Sequence, residues 1–420
     1  MVKTNERLAT ESHKHQGKGY RRRILLVIGI ILLALNLRSS ITGVGPLVGT
    51  IRHEAGLSNV LIGLITTLPL LAFGAFSPFA PRLGRRWGIE CVLFISLLGL
   101  IAGILLRSVP VTILLFAGTA LLGMAIALSN VLLPALIKRD FPRQIGLMTG
   151  LYSTLISISG AIADGVSIPL AQGTGLGWRG SLIFWAIPAT LTVFIWLPLL
   201  RARPRATGVS QEAHPATHKL WRTPLAWQVT LFMGLQSLLF YVAIAWLPTI
   251  LQSEGLSAAS AGWMLSLLQF SGVLASFLVP LLAGRMRSQR LLVSGTILLC
   301  LSACVGLLSA ASSLVALWCI LFGLSQGSFL SLALMFFILR TPDTRSAAEL
   351  SGMAQSVGYL LAALGPLLFG WLHDLTQAWT IPLLSLILIM LLIFGVGMGA
   401  ARNITVASQR TEEVSTGAAS

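Results

Sequence analysis

Residues 24–35 read ILLVIGIILLAL, and residues 36–46 continue as NLRSSITGVGP. As one helix, this stretch is long enough to cross the hydrocarbon core of a bilayer, which is about 30 Å thick. At about 1.5 Å per residue, Arg38 lies roughly 21 Å along the helix from Ile24. A guanidinium at that depth costs roughly 2.5–3.5 kcal/mol on insertion scales and usually faces a bundle interior or an aqueous cavity. The stretch therefore predicts a membrane helix that carries a functional arginine.

The composition extends this interpretation to the whole chain. Of 420 residues, 55% are hydrophobic and only 10% are charged, whereas soluble domains carry about 25% charged residues. Further apolar runs at Cys91–Leu106 and Ile381–Phe394 approach spanning length and do not alternate as the strands of a membrane barrel would. Because lipid offers backbone groups no water partner, such runs form helices. The predicted fold class is an all-α polytopic membrane protein.

We predict twelve transmembrane helices in two halves. They cover residues 24–45, 59–80, 89–106, 111–134, 145–170, 181–200, 225–251, 259–282, 291–310, 313–338, 347–371 and 380–400. The resulting divisions are a cytoplasmic N-terminal tail (1–23), a first six-helix half (24–200), a cytoplasmic central loop (201–224), a second six-helix half (225–401) and a cytoplasmic tail (402–420).

The net charge of +16 follows a topological pattern. With the N-terminus inside, most of the 29 lysines and arginines fall on the cytoplasmic side, and the outer loops carry only Arg52, Arg107 and Arg179. This is the positive-inside bias, and it places both termini in the cytoplasm. Because topology accounts for the charge, we do not expect nucleic-acid binding. The first apolar stretch has no small-residue cleavage site, so it is a helix of the mature protein.

The two halves resemble each other. Gly56–Gly63 (GLSNVLIG) matches Gly255–Gly262 (GLSAASAG), and Thr149–Leu151 (TGL) at the start of the fifth helix matches Ser351–Met353 (SGM) at the start of the eleventh. Matches in the same order at a near-constant offset indicate a duplication. Six-plus-six repeats are typical of secondary transporters that bind their solute at the membrane midplane between the halves.

Several motifs carry a family resemblance. Ser77–Arg86 (SPFAPRLGRR) resembles the loop 2–3 signature of the major facilitator superfamily, with Ser77 in place of its glycine and Pro81 in place of its aspartate. Leu35–Leu47 is similar to the first-helix signature of the cyanate permease family within that superfamily. Three stretches most resemble its 2-nitroimidazole transporter branch: 64–73 (LITTLPLLAF), 130–142 (NVLLPALIKRDFP) and 350–361 (LSGMAQSVGYLL). The resemblance implies a major facilitator fold in a bacterial inner membrane.

The resemblance also implies a solute cavity lined mainly by helices 1, 4, 7 and 10, with help from 5, 8 and 11. The polar and aromatic residues of those helices are our candidate substrate-binding residues: Arg38, Asn36, Asn130, Gln236, Tyr241, Gln269, Gln326, Gln355 and Tyr359. The planar fork of Arg38 suits an anionic or electron-rich solute, and its alternative role is a structural arginine tied to a carbonyl or to Asp164. Asn36 is turned about 200° from Arg38, so an interhelical hydrogen bond is its alternative role, as it is for Asn130.

The remaining candidates concern coupling and gating. Asp164 is the only acid clearly inside a predicted helix, so it is a candidate proton carrier, with an ion-pair role or a place at the wet edge as alternatives. The resemblance implies an inner gate at the loop 2–3 motif, whose standard charge relay lacks its aspartate here. The candidate gating residues are Arg82, Gly84, Arg85, Arg86, Arg139 and Asp140. Cations at helix C-termini and positive-inside charge give these residues an alternative explanation.

These observations predict a secondary transporter that exports a small heteroaromatic or polar compound such as 2-nitroimidazole. The alternatives are uptake of a small anion such as cyanate, or a membrane sensor that does not transport. The sequence contains no nucleotide-binding motif and no metal or redox spacing of its four cysteines, so we expect no enzyme activity, cofactor or metal. The expected partners are a small-molecule solute, the lipid bilayer and protons as a candidate coupling ion, and the expected state is a monomer.

Overall fold

The computed structural model describes residues 2–173, 175, 177–201, 220–308 and 314–407, with side chains in the first helix described from Tyr20 onward. The helices of the first half are α1 (Val2–Thr42), α2 (Val48–Glu54), α3 (Asn59–Phe76), α4 (Ala80–Trp87), α5 (Ile89–Ser108), α6 (Thr112–Asp140), α7 (Ile145–Gly173), α8 (Gly177–Phe184) and α9 (Ala186–Arg201). Those of the second half are α10 (Pro224–Ser253), α11 (Ala258–Ala283), α12 (Arg290–Leu308), α13 (Val315–Leu339), α14 (Thr344–Thr376) and α15 (Thr380–Ala400).

The all-helical fold class and the twelve spans are confirmed. Within the described ranges, twelve helical segments are long and apolar enough to cross a membrane. The boundaries differ in places: α1 begins at Val2, inside the predicted tail, and α6 continues to Asp140. The second span bends through a short 3₁₀ turn at Ser77–Phe79, where Pro78 lacks the backbone N–H that a continuous helix needs. Most of the predicted central loop (202–219) and of the C-terminal tail (408–420) lies outside the described residues.

The internal repeat extends to the backbone. Gly56 and Gly255 adopt φ angles of 63° and 92°, which a residue without a Cβ reaches at no steric cost. Two residues after each glycine, Ser58 and Ser257 cap the next helix by accepting a hydrogen bond from a backbone N–H of its first turn. The two matched Gly-Leu-Ser sequences therefore build the same turn in front of α3 and α11.

The halves meet through two equivalent helix pairs. In the first half, α1 packs against α7 and α3 against α6, and in the second half α10 packs against α14 and α11 against α13. Between the halves, α7 packs against α11, and α3 packs against α14. These two pairs frame the centre of the molecule, where α1, α6, α10 and α13 converge.

The interface between the halves is tight at one end of the bundle, which we call the basic end because Arg22, Arg85 and Arg139 lie there. A Cβ on Gly146 would lie 2.5 Å from the carbonyl oxygen of Pro280, so only glycine allows α7 to approach α11 this closely. Ser153 Oγ donates a hydrogen bond across the same pair to the Ser276 carbonyl at 2.7 Å. Away from the basic end, the two halves line a cavity.

Candidate functional site

The cavity has a volume of about 400 Å³ and is lined by both halves. A smaller space of about 60 Å³ adjoins it, and the two share the lining residues Arg38, Tyr241, Leu330 and Tyr359. The main cavity reaches away from the basic end to Gly45 and Thr66, which are exposed. This is a volume suited to a small molecule, enclosed by mainly apolar walls with a few polar groups.

Arg38 lies at the junction of the two spaces, near the end of α1. Its guanidinium lies 4.4 Å from the centre of the Phe240 ring, across the interface between the halves, in a cation–π arrangement. Gly160 on α7 gives the side chain room, since a Cβ there would lie 3.2 Å from Arg38 Cδ. Within the described part of the chain, the guanidinium has no ion-pair partner. Its N–H groups are therefore available to a solute.

Asp164 lines the main cavity without forming an ion pair to Arg38. Its carboxylate accepts a hydrogen bond from Gln269 Nε2 at 3.4 Å, which joins α7 to α11. The half-buried carboxylate thus lies between the halves, on the part of their interface that is away from the closed basic end. A proton bound there would change a contact between the halves.

Two glutamine side chains beside the smaller space differ in their hydrogen bonds. Gln326 on α13 lines the smaller space, and its Nε2 and Oε1 atoms are both buried without a partner among the described residues. Gln236 on α10 lines the same space but donates to Ser237 Oγ at 2.7 Å. An unpartnered buried amide is unfavourable, so Gln326 is the glutamine beside the smaller space whose hydrogen-bonding capacity is left unused among the described residues.

The deep wall of the main cavity is a fixed polar network. Gln355 Nε2 donates to the Asn130 carbonyl at 3.1 Å, and the Tyr152 hydroxyl donates to Asn130 Oδ1 at 3.2 Å. Asn130 and Gln355 therefore line the cavity with side chains that are already partly satisfied. Tyr359 lies beside them and packs against Phe73 with the ring centres 4.8 Å apart. These groups shape the wall and present one aromatic face.

Asn36 does not join the other predicted substrate-binding residues. Its side chain is 1% exposed and points at α9, where Nδ2 donates to Thr192 Oγ1 at 2.9 Å. The same nitrogen donates to the Leu32 carbonyl of its own helix. The structure therefore places Asn36 outside both spaces and in the interhelical hydrogen bond that was its alternative role, because α9 covers that face of α1.

Arg107 is a cavity residue that the sequence analysis placed in an outer loop. It lies inside α5, is 1% exposed and contributes to the wall of the main cavity. Its Nη1 donates to the Ser40 carbonyl of α1 at 2.7 Å, whereas Nε and Nη2 have no partner among the described residues. An arginine on the side depleted of basic residues was the available sequence signal.

Among the described residues, two charged side chains of the first half make polar contacts to the second half at the basic end. Arg85 on α4 donates to Glu349 on α14 at 2.7 Å, and Glu349 also accepts from Arg345 of its own helix at 3.2 Å. Lys138, in the last turn of α6, donates to the Ile338 carbonyl at 2.7 Å and to Thr341. Both links lie below the cavity and close this end.

The other predicted gating residues stay within the first half. Arg139 pairs with Asp140 at 2.7 Å and with Glu90, and Arg22 bridges the same two acids. Gly84 allows α4 to approach α6, since a Cβ there would lie 3.0 Å from Leu132. The exposed guanidiniums of Arg82 and Arg86 form no ion pair with a described carboxylate. Of the basic motif, Arg85 alone bridges the halves by an ion pair within the described residues.

Arg340, directly after α13, points away from the first half. Its Nε donates to the Ala400 carbonyl at 2.7 Å, and its Nη2 donates to Gln289, so both contacts remain in the second half. Burial lowers the pKa of the Arg340 guanidinium to about 10, which leaves the group charged at neutral pH. It therefore anchors the end of α13 to α15 rather than to the first half.

Comparisons with known proteins agree with this architecture. The chain is similar to the 2-nitroimidazole transporter of Escherichia coli (strain K12), with 44% identity over 91% of this chain and 97% of that protein. It is 28% identical to the cyanate transport protein CynX of the same organism, over 84% of this chain and 90% of CynX. The solved structure of the proton:xylose symporter XylE superposes with a TM-score of 0.78 at 12% identity, covering 94% of this chain and 99% of XylE, which supports the fold alone. Residues 24–366 match the sequence model of the Major Facilitator Superfamily, and the chain is a member of that superfamily of transporters.

Proposed function

We propose that this transporter carries a small, flat solute of the nitroimidazole class, whose oxygens accept hydrogen bonds, and exports it by alternating access about the central cavity. The observation that carries the proposal is Arg38, an arginine without a carboxylate partner among the described residues, at the junction of two solute-sized spaces between the halves. A transporter of this architecture binds its solute there and exposes it to each side of the membrane in turn.

The chemistry of the lining supports a flat heterocycle. Arg38 stacks on Phe240 and presents N–H donors to acceptor oxygens, while Tyr241 and Tyr359 offer aromatic surfaces. Gln326 supplies one unpartnered donor group and one unpartnered acceptor, so its amide can accept from the N–H of an imidazole ring or donate to its bare nitrogen. The 44% identical relative is named for the transport of 2-nitroimidazole. This compound has an imidazole ring and two nitro oxygens.

Orientation and coupling complete the proposal. The positive-inside bias of the sequence supports an orientation with the basic end and both termini in the cytoplasm, and the bacterial relatives support a bacterial inner membrane. The structure would then represent a state whose cavity faces outward, in which an exporter releases its solute. Asp164 is the proposed proton carrier, since its protonation would weaken the contact from Gln269. The transport unit would be a monomer.

The test is flux of labelled 2-nitroimidazole in inverted membrane vesicles, with and without a pH gradient. We expect wild-type accumulation to depend on the gradient and Arg38→Gln to lower it at least tenfold, since a hydrogen bond to a charged group contributes about 1.5–3 kcal/mol. Arg52→Gln is the matched control, because Arg52 is exposed on α2 and lines neither space. Absence of wild-type flux, or an Arg38→Gln flux equal to that of the control, would overturn the proposal.

A second candidate is uptake of a small anion such as cyanate. The observation that favours it is the charge of the main cavity, whose lining includes two guanidiniums, Arg38 and Arg107, against one carboxylate, Asp164. Similarity to a cyanate transport protein supports the same class of solute. Uptake of labelled cyanate into right-side-out vesicles, competed by other small anions and not by 2-nitroimidazole, would establish this candidate in place of the first.

A further inference from the structure

A second guanidinium in the wall of the cavity, that of Arg107, has no role in the nitroimidazole export proposed above. Arg107 is 1% exposed, and α5 holds it against α6, where a Cβ on Gly118 would lie 2.5 Å from the Arg107 backbone nitrogen. The side chain reaches α1 and, like Arg38, contributes to the wall of the main cavity. It belongs to no ion pair in the described part of the chain.

The hydrogen bonds of Arg107 define one occupied and one free edge. Nη1 donates to the Ser40 carbonyl at 2.7 Å, which fixes the side chain to α1. Nε and Nη2, whose N–H groups point in parallel from the opposite edge, lack partners among the described residues. Leaving charged N–H groups unpaired in a low-dielectric interior costs more than leaving neutral ones unpaired. The free edge is buried, and it remains unsatisfied until an acceptor reaches it.

The shape of this edge selects the acceptor. Two parallel N–H donors match two oxygen atoms held in one plane, as in a carboxylate or a nitro group. A linear anion such as cyanate presents one terminal atom to the edge, and an amide presents one oxygen. The charge of the lining also favours an acceptor with negatively charged or partially negative oxygens. Asp164 balances only one of the two guanidiniums, so the lining keeps a net positive charge.

We infer that the Nε–Nη2 edge of Arg107 binds a planar two-oxygen group of the transported solute, nitro or carboxylate, while Arg38 and Gln326 hold its ring. This inference rests on the proposed function for the identity of the ring. It gives the cavity two anchors on different helices of the first half, α1 and α5. A solute that bridges them replaces the missing partners of both guanidiniums in one binding event.

Binding to the purified full-length protein tests this inference with three ligands of one shape: imidazole, 2-nitroimidazole and imidazole-2-carboxylate. Wild-type protein should bind at least one of the last two at least tenfold more tightly than imidazole. Which of them is preferred distinguishes a neutral nitro group from an anionic carboxylate. Arg107→Lys keeps the charge and a donor to Ser40 but lacks the paired edge, so it should reduce the preference to threefold or less while imidazole affinity stays unchanged.

The matched control is again Arg52→Gln, which should keep the wild-type preference. A merely structural Arg107 would lower the affinities for all three ligands alike, so an unchanged ratio in Arg107→Lys overturns the inference even if 2-nitroimidazole is transported. If wild-type protein transports no nitroimidazole but binds imidazole-2-carboxylate through Arg107, the proposed function fails and the inference stands. Should Arg107→Lys not fold, the wild-type ratios decide: equal affinity for all three ligands overturns the inference.

Discussion

The ion pair between Arg85 and Glu349 offers a direct test of how the basic end stays closed. We predict that Glu349→Gln, which keeps the size of the side chain but removes its charge, shifts the protein toward states open at this end. Glu349 contacts Arg85 of the other half at 2.7 Å. Opening this end separates α4 from α14, so the interaction stabilises the closed state selectively.

The size of the shift follows from the burial of the two partners. Losing one partner of a buried pair costs about 3–5 kcal/mol, and an exposed pair contributes about 0.2–1 kcal/mol. The Glu349 side chain is 4% exposed, but that of Arg85 is 38% exposed, so solvent screens the pair. We therefore expect about 1–2 kcal/mol, a change of about 5- to 30-fold in the ratio of open to closed states.

Alkylation of a cysteine placed at Ser77 reports this ratio. Ser77 is fully buried at the interface, where Gly352 of the other half approaches its carbonyl, and a cysteine is nearly isosteric with serine. Cys91, the one native cysteine that is not fully buried, is replaced by serine in all variants. When opening is fast relative to alkylation, the rate is proportional to the open population, so Glu349→Gln should react about 5- to 30-fold faster.

Arg345→Gln provides the matched control. Arg345 contacts the same carboxylate at 3.2 Å with similar exposure, but both residues lie on α14, so their contact does not change when the halves separate. Its alkylation rate should stay within twofold of the parent, whereas Arg85→Gln should reproduce the Glu349→Gln rate. Equal rates in Glu349→Gln and Arg345→Gln would refute the assignment of this ion pair to the closed basic end.

Three further predictions concern other contacts. Asn36→Val should lower thermal stability by about 0.6–1.7 kcal/mol through loss of the bond to Thr192, with the KM for solute unchanged, and a raised KM would contradict the structural role. Gly146→Ala should force α7 away from Pro280 and raise alkylation at Ser77→Cys, whereas an unchanged rate would mean that the helices adjust locally. Asp164→Asn should abolish flux driven by a pH gradient but retain exchange of labelled for unlabelled solute, and gradient-driven flux in this variant would exclude Asp164 as the proton carrier.

The sequence was sufficient to predict the parts of the site that depend on depth in the membrane. A charge such as Arg38 cannot face lipid cheaply, so its place on an inward face follows from its position in the apolar run. The turns before α3 and α11 were predictable too, because Gly and Ser have specific backbone roles there. In both cases the structure follows from a property of the residue itself, the cost of a charge in lipid for arginine and the backbone preferences of glycine and serine.

The contacts of other site residues depend on which helix packs against their own helix. The pattern of residue types in the sequence does not indicate that packing. Asn36 looked equivalent to Arg38 by depth, yet Thr192 on α9 takes its side chain. Arg107 stood at the end of an apolar run, and only the approach of α1 makes it a buried cavity residue. Phe240 carries no polar group, so its contact with Arg38 was not predictable from residue type.

Lys138 and Arg340 lie near the ends of corresponding helices, α6 and α13, yet only Lys138 reaches across to the other half. The duplicated halves have therefore ceased to be interchangeable. A chain assembled from two copies of the second half would carry two arginines that contact only their own halves, and it would lack the contact that Lys138 makes across the interface. The helices of the two halves still correspond, whereas the contact that Lys138 makes across the basic end has no equivalent at Arg340.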